Sequence, residues 1–151
     1  MISIHEITED RQQFLSYLLL ADESEEVVLS YIHDGHLFVI EHNEKIIGVA
    51  LYIETEDGHI ELKNIGLIPS ARGKGFGKQA IMQGFTYFKK SGYKKMIVGT
   101  ANSSIDNIKF YQRLGFRMMA IKRDFFKNYP TPIFENGIQA LDMIMFEKDL
   151  I

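Results

Sequence analysis

The spacing of apolar residues changes along the chain, and each change marks a predicted element. Alternation at 2–7 predicts a first strand, and a helix-like apolar stripe follows with Thr8 as its expected N-cap. The segment 22–35 has acidic residues in its first turn and Gly35 at its end, which predicts a second helix. Residues 37–69 return to period two with turn residues between three apolar runs, a pattern typical of an antiparallel meander.

The second half of the chain alternates between the two periods. It predicts helices at about 75–90 and 104–114, strands at 94–100, 116–122 and 139–147, and a hairpin turn at Asn136-Gly137. A strand, a helix and a further strand in succession predict a right-handed parallel crossover. The fold class expected is α/β (α+β), with a mixed, mostly antiparallel sheet of about seven strands, about four flanking helices, and a single domain over residues 1–151.

Composition and charge narrow the classes of function. The 151 residues carry a net charge of −3, which argues against nucleic acid as a partner, and no apolar run is long enough to predict a membrane span. The acidic N-terminal segment is unlike a signal peptide, so a cytoplasmic location is expected. The chain has no cysteine, which excludes thiolate nucleophiles and thiolate metal sites. The five histidines show no metal-ligand spacing, so no metal is expected.

The segment ARGKGFGKQA at 71–80 places three glycines and three cationic side chains at the start of a predicted helix. The free N–H groups and the dipole at a helix N-terminus favour a bound anion, so this loop predicts a phosphate site. It is not a Walker A loop, because Gln79 stands where that motif needs Ser or Thr. The glycine spacing of a dinucleotide fingerprint is present, but it does not follow its strand directly and no acidic residue follows at the required distance.

A third pattern fits the loop in its context. Arg72, Gly75 and Gly77 form R/Q-x-x-G-x-G/A after a strand that ends at Leu67-Ile68-Pro69. This motif closely resembles the acetyl-CoA signature of the GNAT superfamily of N-acetyltransferases. A second motif of that family is also present, in the expected order, and consists of Phe110, Tyr111, Leu114, Gly115 and Phe116. The resemblance extends to the order of the elements over the whole chain.

The resemblance implies a site for acetyl-CoA between two splayed central strands, residues 60–68 and 94–100. The backbone at Gly66 to Ile68 is expected to bind pantetheine and the acetyl group, with the Leu67 N–H facing the carbonyl oxygen. The expected cofactor-binding residues are Gly66, Leu67, Ile68, Arg72, Gly73, Lys74, Gly75, Phe76, Gly77, Lys78, Asn102, Ser104 and Asn107. Where the family commonly has an asparagine that contacts pantetheine this chain has Ser104, and which of Asn102, Ser104 and Asn107 takes that contact stays open.

The resemblance also implies catalytic roles. Tyr111 is the expected general acid for the departing thiolate, because a phenol titrates near 10, close to a thiol; a core aromatic is the alternative. Glu61 matches the glutamate position of some family members and is a candidate base, with a water relay or a solvated carboxylate beside Lys63 as alternatives. Without a cysteine, direct attack of an amine on acetyl-CoA is expected.

The acceptor is expected to be a primary amine of a small molecule or peptide. Acidic residues 22–26 border the expected acceptor site, although such a run is more often a solvated helix start, and Tyr129 and Phe134 in segment 124–137 either line the cleft or cover a sheet edge. A non-catalytic acyl-CoA sensor or partner module, and transfer to a protein N-terminus or lysine, are the alternatives. The chain is expected to be a monomer or a homodimer.

Overall fold

A seven-stranded mixed sheet forms the centre of the protein, and a computed structural model describes all residues 1–151. Every neighbouring pair is antiparallel except the central pair β4 and β5. The strands are β1 (Ile2–Ile7), β2 (His36–His42), β3 (Lys45–Glu54), β4 (Ile60–Leu67), β5 (Lys95–Ala101), β6 (Arg117–Lys122) and β9 (Met143–Asp149), in the spatial order β1-β2-β3-β4-β5-β9-β6. The strands β7 (Phe134–Glu135) and β8 (Ile138–Gln139) form a separate hairpin. The predicted sheet is thus confirmed.

Four α-helices flank this sheet, as predicted. They are α1 (Leu15–Leu18), α2 (Glu25–Leu29), α3 (Phe76–Lys90) and α4 (Ile105–Arg113), and short 3-10 helices lie at Arg11–Phe14, Pro69–Ala71 and Phe125–Asn128. The long helix α3 buries its apolar stripe, including Ile81 and Phe88, against one face of the sheet. The shorter α1 and α2 cover the other face, where Leu18 and Val28 are fully buried. The sheet therefore has an apolar cluster on each face.

The first two helices differ from the prediction. The helix at 22–35 is confined to α2, which begins after Ser24, whose hydroxyl accepts a hydrogen bond from the Val27 N–H. It ends early because the Arg11 guanidinium donates to the carbonyls of Ile32, Asp34 and Gly35, which hold the following residues in turns. Thr8 does not cap the first helix, since Asp10 precedes the 3-10 turn in the left-handed conformation and no side chain caps it.

The two parallel central strands separate part of the way along their length. Their pairing covers only Ile60–Leu62 against Met96–Val98, although β4 continues to Leu67. Lys63 is an extra residue in β4, because Leu62 pairs with Tyr52 and Asn64 with the neighbouring Leu51. Such a bulge bends a strand and interrupts its pairing. The bulge coincides with the point at which β4 leaves β5, so a gap opens between these strands.

The end of the chain also differs from the prediction. The turn at Asn136-Gly137 forms as expected, with both residues at positive φ, and joins β7 to β8. The last sheet strand, however, begins at Met143 rather than at 139. The Asn102 side chain accepts hydrogen bonds from the N–H groups of Leu141 and Asp142, which keeps these residues out of the ladder.

Candidate active site

A cavity of about 960 Å³ occupies the gap between β4 and β5. Its walls come from both central strands, from the glycine-rich loop before α3, from α4, and from the segments around Asp22 and Tyr129. A cavity of this size is typical of a small-molecule or cofactor site. It joins elements that lie far apart in the sequence, and most of the predicted site residues line it.

The glycine-rich loop forms part of the cavity wall. Gly73 and Gly75 have φ values of +74° and +83°, in the left-handed region that glycine adopts without strain, and a Cβ on either would meet nothing within 4 Å. Gly75 precedes α3, whose first intrahelical bond runs from Gln79 N to Gly75 O. The N–H groups between these two residues therefore have no backbone partner and can bind an anion.

Of the three cationic side chains near this helix N-terminus, two line the cavity. Arg72 and Lys78 line the cavity, and the Arg72 Nε donates to the Leu67 carbonyl at 3.0 Å, which holds the guanidinium beside the end of β4. Phe76 and Gly77 line it as well, whereas Lys74 does not. The predicted loop residues other than Lys74 thus belong to one surface.

The backbone of β4 presents Leu67 to the gap. Hydrogen-bonded and non-bonded pairs alternate along an antiparallel ladder, and the Ile68 N–H donates to Ile47 O at 2.8 Å. The adjacent pair of Leu67 with Gly48 is then a non-bonded pair, and the Leu67 N–H points away from β3 towards the gap. Leu67 also lines the cavity.

Gly66 and Ile68 do not have the position that the sequence predicts. The Ile68 N–H is already bonded within the sheet, and Gly66 belongs to the next pair that faces β3. Neither residue lines the cavity. Packing explains why residue 66 is a glycine, since a Cβ there would overlap the carbonyl oxygen of Tyr17. Of the three predicted backbone positions, only Leu67 faces the gap.

Tyr111 lies on the cavity wall. Its ring packs against Phe110, Phe116 and Phe146, and the residue is 6% exposed, but its hydroxyl makes no hydrogen bond within the chain. Burial raises the pKa of Tyr111 to about 12, because the phenolate would lose its hydration. The residue is therefore both a core aromatic and a protonated donor at the cavity.

The three candidates for the pantetheine contact are distinguished by their neighbours. Asn102 does not line the cavity, and its side chain bonds to Gln139, Leu141 and Asp142. Ser104 and Asn107 both line it. The Ser104 hydroxyl donates to Glu135 at 2.7 Å, whereas Asn107 makes a single longer bond of 3.3 Å to Thr100. Asn107 is the least engaged of the three.

Glu61, the predicted base, lies outside the cavity lining. It precedes the bulge, in the part of β4 where Glu61 pairs with Ile53 on one side and with Ile97 on the other. It forms no ion pair with Lys63, which instead lies over the Tyr31 ring at 5.5 Å from the centroid. The geometry therefore does not bring Glu61 together with Tyr111.

A polar network closes the face of the gap that α1 and α2 cover. Tyr31 and Tyr129 donate to the two carboxylate oxygens of Asp22 at 3.0 and 3.1 Å, and the Asn64 Nδ2 donates to Tyr31 at 2.9 Å. The sequence indicates Asp22 and Tyr129 but misses Asn64. Its only signal in the sequence is that it directly follows Lys63 and so interrupts the alternation of apolar and polar residues in this strand.

Burial raises the pKa of both network tyrosines above the ordinary range, and the Asp22 carboxylate raises it further. Both phenols therefore stay protonated as donors. No group of three or more His, Asp or Glu side chains is arranged to hold a metal ion. None of the helices is both long and apolar enough to cross a membrane.

The split sheet, the free helix N-terminus and the buried tyrosine fit the acetyltransferase family that the two motifs predict. The chain belongs to the Acetyltransferase (GNAT) family, whose sequence model matches residues 4–116. It is 38% identical over 143 residues to the uncharacterized N-acetyltransferase YvbK of Bacillus subtilis, a match that covers 94% of this chain and 92% of that protein.

Two solved structures are similar over nearly their whole length. A GNAT family acetyltransferase from Elizabethkingia anophelis with acetyl-CoA bound has a TM-score of 0.92 and 37% identity, covering 98% of this chain and 97% of the other. A Bacillus subtilis acetyltransferase in complex with CoA has a TM-score of 0.91 and 36% identity, covering 100% of both chains. The family and the fold class predicted from the sequence are thereby confirmed.

Proposed function

We propose that this acetyltransferase moves an acetyl group from acetyl-CoA directly to a primary amine of a small molecule or peptide. The observation that carries the proposal is the single cavity that connects the free N-terminus of α3, the Leu67 N–H, Tyr111 and the carboxylate of Asp22. The side formed by the glycine-rich loop suits the phosphates of the acetyl donor, and the side formed by Asp22 suits a cationic acceptor. The acetyl-CoA and CoA bound in the two solved relatives support the choice of donor.

The donor would be held at three places along the cavity. The N–H groups at the start of α3, with Arg72 and Lys78, would bind the pyrophosphate. The pantetheine arm would occupy the gap between β4 and β5, with Asn107 as its polar contact on α4. The Leu67 N–H would donate to the thioester oxygen as negative charge develops on it.

In the chemical step the amine nitrogen bonds to the acetyl carbon, the carbon–sulfur bond breaks, and the sulfur leaves as a thiolate that needs a proton. Tyr111 is the proposed donor of that proton. Its pKa of about 12 lies above that of a thiol. Proton transfer from Tyr111 to the thiolate is therefore less favourable than it would be from the ordinary phenol that the sequence predicts. The raised pKa keeps the hydroxyl protonated at every working pH, which suits a hydrogen-bond donor to developing charge.

The proton released by the amine must also leave the site. Glu61 lies outside the cavity lining. This favours a relay through water, which the sequence analysis gives as an alternative to Glu61. No cysteine is present to form an acetyl-enzyme, so the amine attacks the thioester directly. The cytoplasmic location and the monomeric or homodimeric state stay predictions.

The first experiment measures thermal unfolding with acetyl-CoA, CoA, NAD or ATP added separately. A ligand at 100 times its dissociation constant adds about 2.7 kcal/mol of stability, which corresponds to about 5 to 10 °C here. We expect this rise with acetyl-CoA and CoA only. Lys78→Ala should reduce it, while Lys89→Ala, at the far end of the same helix, should not.

Turnover is then measured with a panel of amines. Release of free CoA that depends on the amine supports the transferase. Stabilisation by acetyl-CoA without turnover of any amine or peptide would instead support the non-catalytic acyl-CoA module, and stabilisation by NAD or ATP alone would refute both.

A further inference from the structure

We infer that Met143 is a site of oxidative modification, at which formation of a sulfoxide obstructs the gap between β4 and β5. Met143 begins β9, pairs with Ala101 of β5 and lines the cavity. This goes beyond the function proposed above, because it concerns how the cavity responds to a peroxide. It rests on the proposed function only for placing acetyl-CoA in the gap.

Met143 is the methionine that combines access to solvent with a place on the cavity wall. The chain has seven methionines and no cysteine, so thioethers are its only oxidisable sulfur groups. Met96 and Met145 are 0% and 3% exposed and are shielded from solvent. The highly exposed methionines all lie outside the cavity lining, and they are Met1, Met82, Met118 and Met119. Met143 is partly buried and lines the cavity.

Gly99 allows the sulfur of Met143 to lie over β5. A Cβ on Gly99 would lie 2.8 Å from the Met143 Sδ and 2.8 Å from the Met145 Sδ, closer than a real Cβ approaches another atom. Both thioethers therefore pack directly on the strand backbone. Gly99 follows Val98, the last residue of β5 that pairs with β4, and it also lines the cavity. The Met143 sulfur thus lies where the gap opens.

The modification is the transfer of one oxygen atom from a peroxide to the Met143 Sδ. The O–O bond of hydrogen peroxide breaks, an S–O bond forms, the thioether loses two electrons and the peroxide is reduced to water. The product is a polar sulfoxide in place of a flexible apolar side chain. Gly99 and the Met145 thioether, which lie against the sulfur, offer no side-chain hydrogen-bond donor. The new oxygen is therefore solvated only on the cavity side, where it narrows the path proposed for the pantetheine arm.

The wild-type protein is treated with increasing hydrogen peroxide, its oxidised methionines are located by peptide mass spectrometry, and its acetyl-CoA affinity is measured by calorimetry. We expect the affinity to fall by roughly tenfold in step with Met143 sulfoxide, as for one polar group without a partner. Oxidation of Met118 and Met119 should not change it. Saturating acetyl-CoA should protect Met143 but not Met118. Methionine sulfoxide reductases should restore the affinity.

Met143→Leu is compared with Met118→Leu, and each variant is measured relative to its own untreated sample. Leucine conserves the volume and cannot be oxidised in this way. After peroxide, Met143→Leu should keep its affinity, whereas Met118→Leu should lose affinity as the wild type does. An equal loss in Met143→Leu would overturn the inference.

The wild-type series decides the question by itself where the leucine variant does not fold. Unchanged acetyl-CoA affinity in protein with Met143 fully oxidised would refute this inference alone. The same holds if Met143 stays unoxidised while Met118 and Met119 are fully oxidised. Absence of acetyl-CoA binding before any treatment would refute the proposed function together with the inference.

Discussion

Tyr111 lines the cavity, and we expect the loss of its hydroxyl to affect chemistry more than binding. Tyr111→Phe keeps the ring that packs against Phe116 and Phe146. Its kcat should fall by roughly 100-fold or more, the usual contribution of a general acid, while acetyl-CoA affinity changes less than about twofold. Steady-state kinetics and calorimetry check this. Tyr93→Phe, whose hydroxyl bonds to Glu54 on the surface, should behave as wild type.

The raised pKa of Tyr111 gives a second prediction, on pH dependence. An ordinary phenol would lose half of its protons near pH 10, whereas Tyr111 with a pKa of about 12 stays protonated well above that. The kcat should therefore not fall between pH 8 and pH 10 through loss of this proton, and we expect it to rise as more of the acceptor amine becomes neutral. A fall centred near pH 10 that Tyr111→Phe removes would show that the hydroxyl is not shielded.

Asn102 and Asn107 make a matched pair for separating structure from binding. Asn102→Ala loses the bonds to residues 139–142, so stability should fall by about 1–3 kcal/mol with acetyl-CoA affinity unchanged. Asn107→Ala should lower acetyl-CoA affinity by roughly fivefold, matching about 1 kcal/mol for one hydrogen bond, with little change in stability. Urea unfolding and calorimetry on both variants check this, and the opposite pattern would return the pantetheine contact to Asn102.

Individual residues show where sequence reasoning ends. The loop motif predicted Arg72, Gly73, Gly75, Gly77 and Lys78 at the cavity because these residues are close together in the chain. Asn64 was missed, because its importance depends on Leu18 and Tyr31, which lie 46 and 33 positions away. Gly66 and Ile68 were misplaced, because the direction of a strand N–H depends on its pairing with another strand.

At the scale of elements, short-range signals predicted α3, α4 and most strands of the sheet, whereas long-range contacts determine the end of α2 and the bulge in β4. The apolar period and the glycine at its end are local, so the long helix was placed within a residue or two. The end of α2 depends on Arg11, which reaches carbonyls more than 20 positions ahead. The bulge at Lys63 is likewise visible only in the register of β3 and β4. The gap between the central strands was therefore predicted by family resemblance and not by the pattern alone.

The start of α3 gives a prediction in which stability and binding move in opposite directions. A Cβ at Gly77 would make only ordinary contacts, with Leu67 at 3.6 Å and Phe110 at 3.9 Å. Gly77→Ala should therefore raise stability by about 0.5–1 kcal/mol, because alanine favours the helix. It should also weaken acetyl-CoA binding by roughly tenfold, because the methyl group keeps the pyrophosphate from the helix N-terminus. Stronger binding in this variant would place the phosphates elsewhere.

At the scale of the whole molecule, the apolar clusters on the two faces of the sheet contain tyrosines that are buried as neutral phenols. Burial raises the pKa of Tyr31, Tyr52, Tyr111 and Tyr129, and it is the leading cause for all four. Tyr52 packs against Phe38 and Phe88 at the centre of the sheet. The unfolded chain has no such burial, so its phenols titrate near 10.

This difference predicts the alkaline limit of the fold. Below pH 10 the phenols are protonated in both states, and their burial does not make stability depend on pH. Above pH 10 the unfolded chain releases protons that the folded protein keeps, so stability falls by about 1.4 kcal/mol per pH unit for each buried tyrosine. Urea midpoints should be level from pH 8 to 9.5 and fall steeply by pH 11. Tyr111→Phe should fall less steeply because it has one such group fewer, and equal midpoints at pH 9 and 11 would show that these phenols reach water in the folded protein.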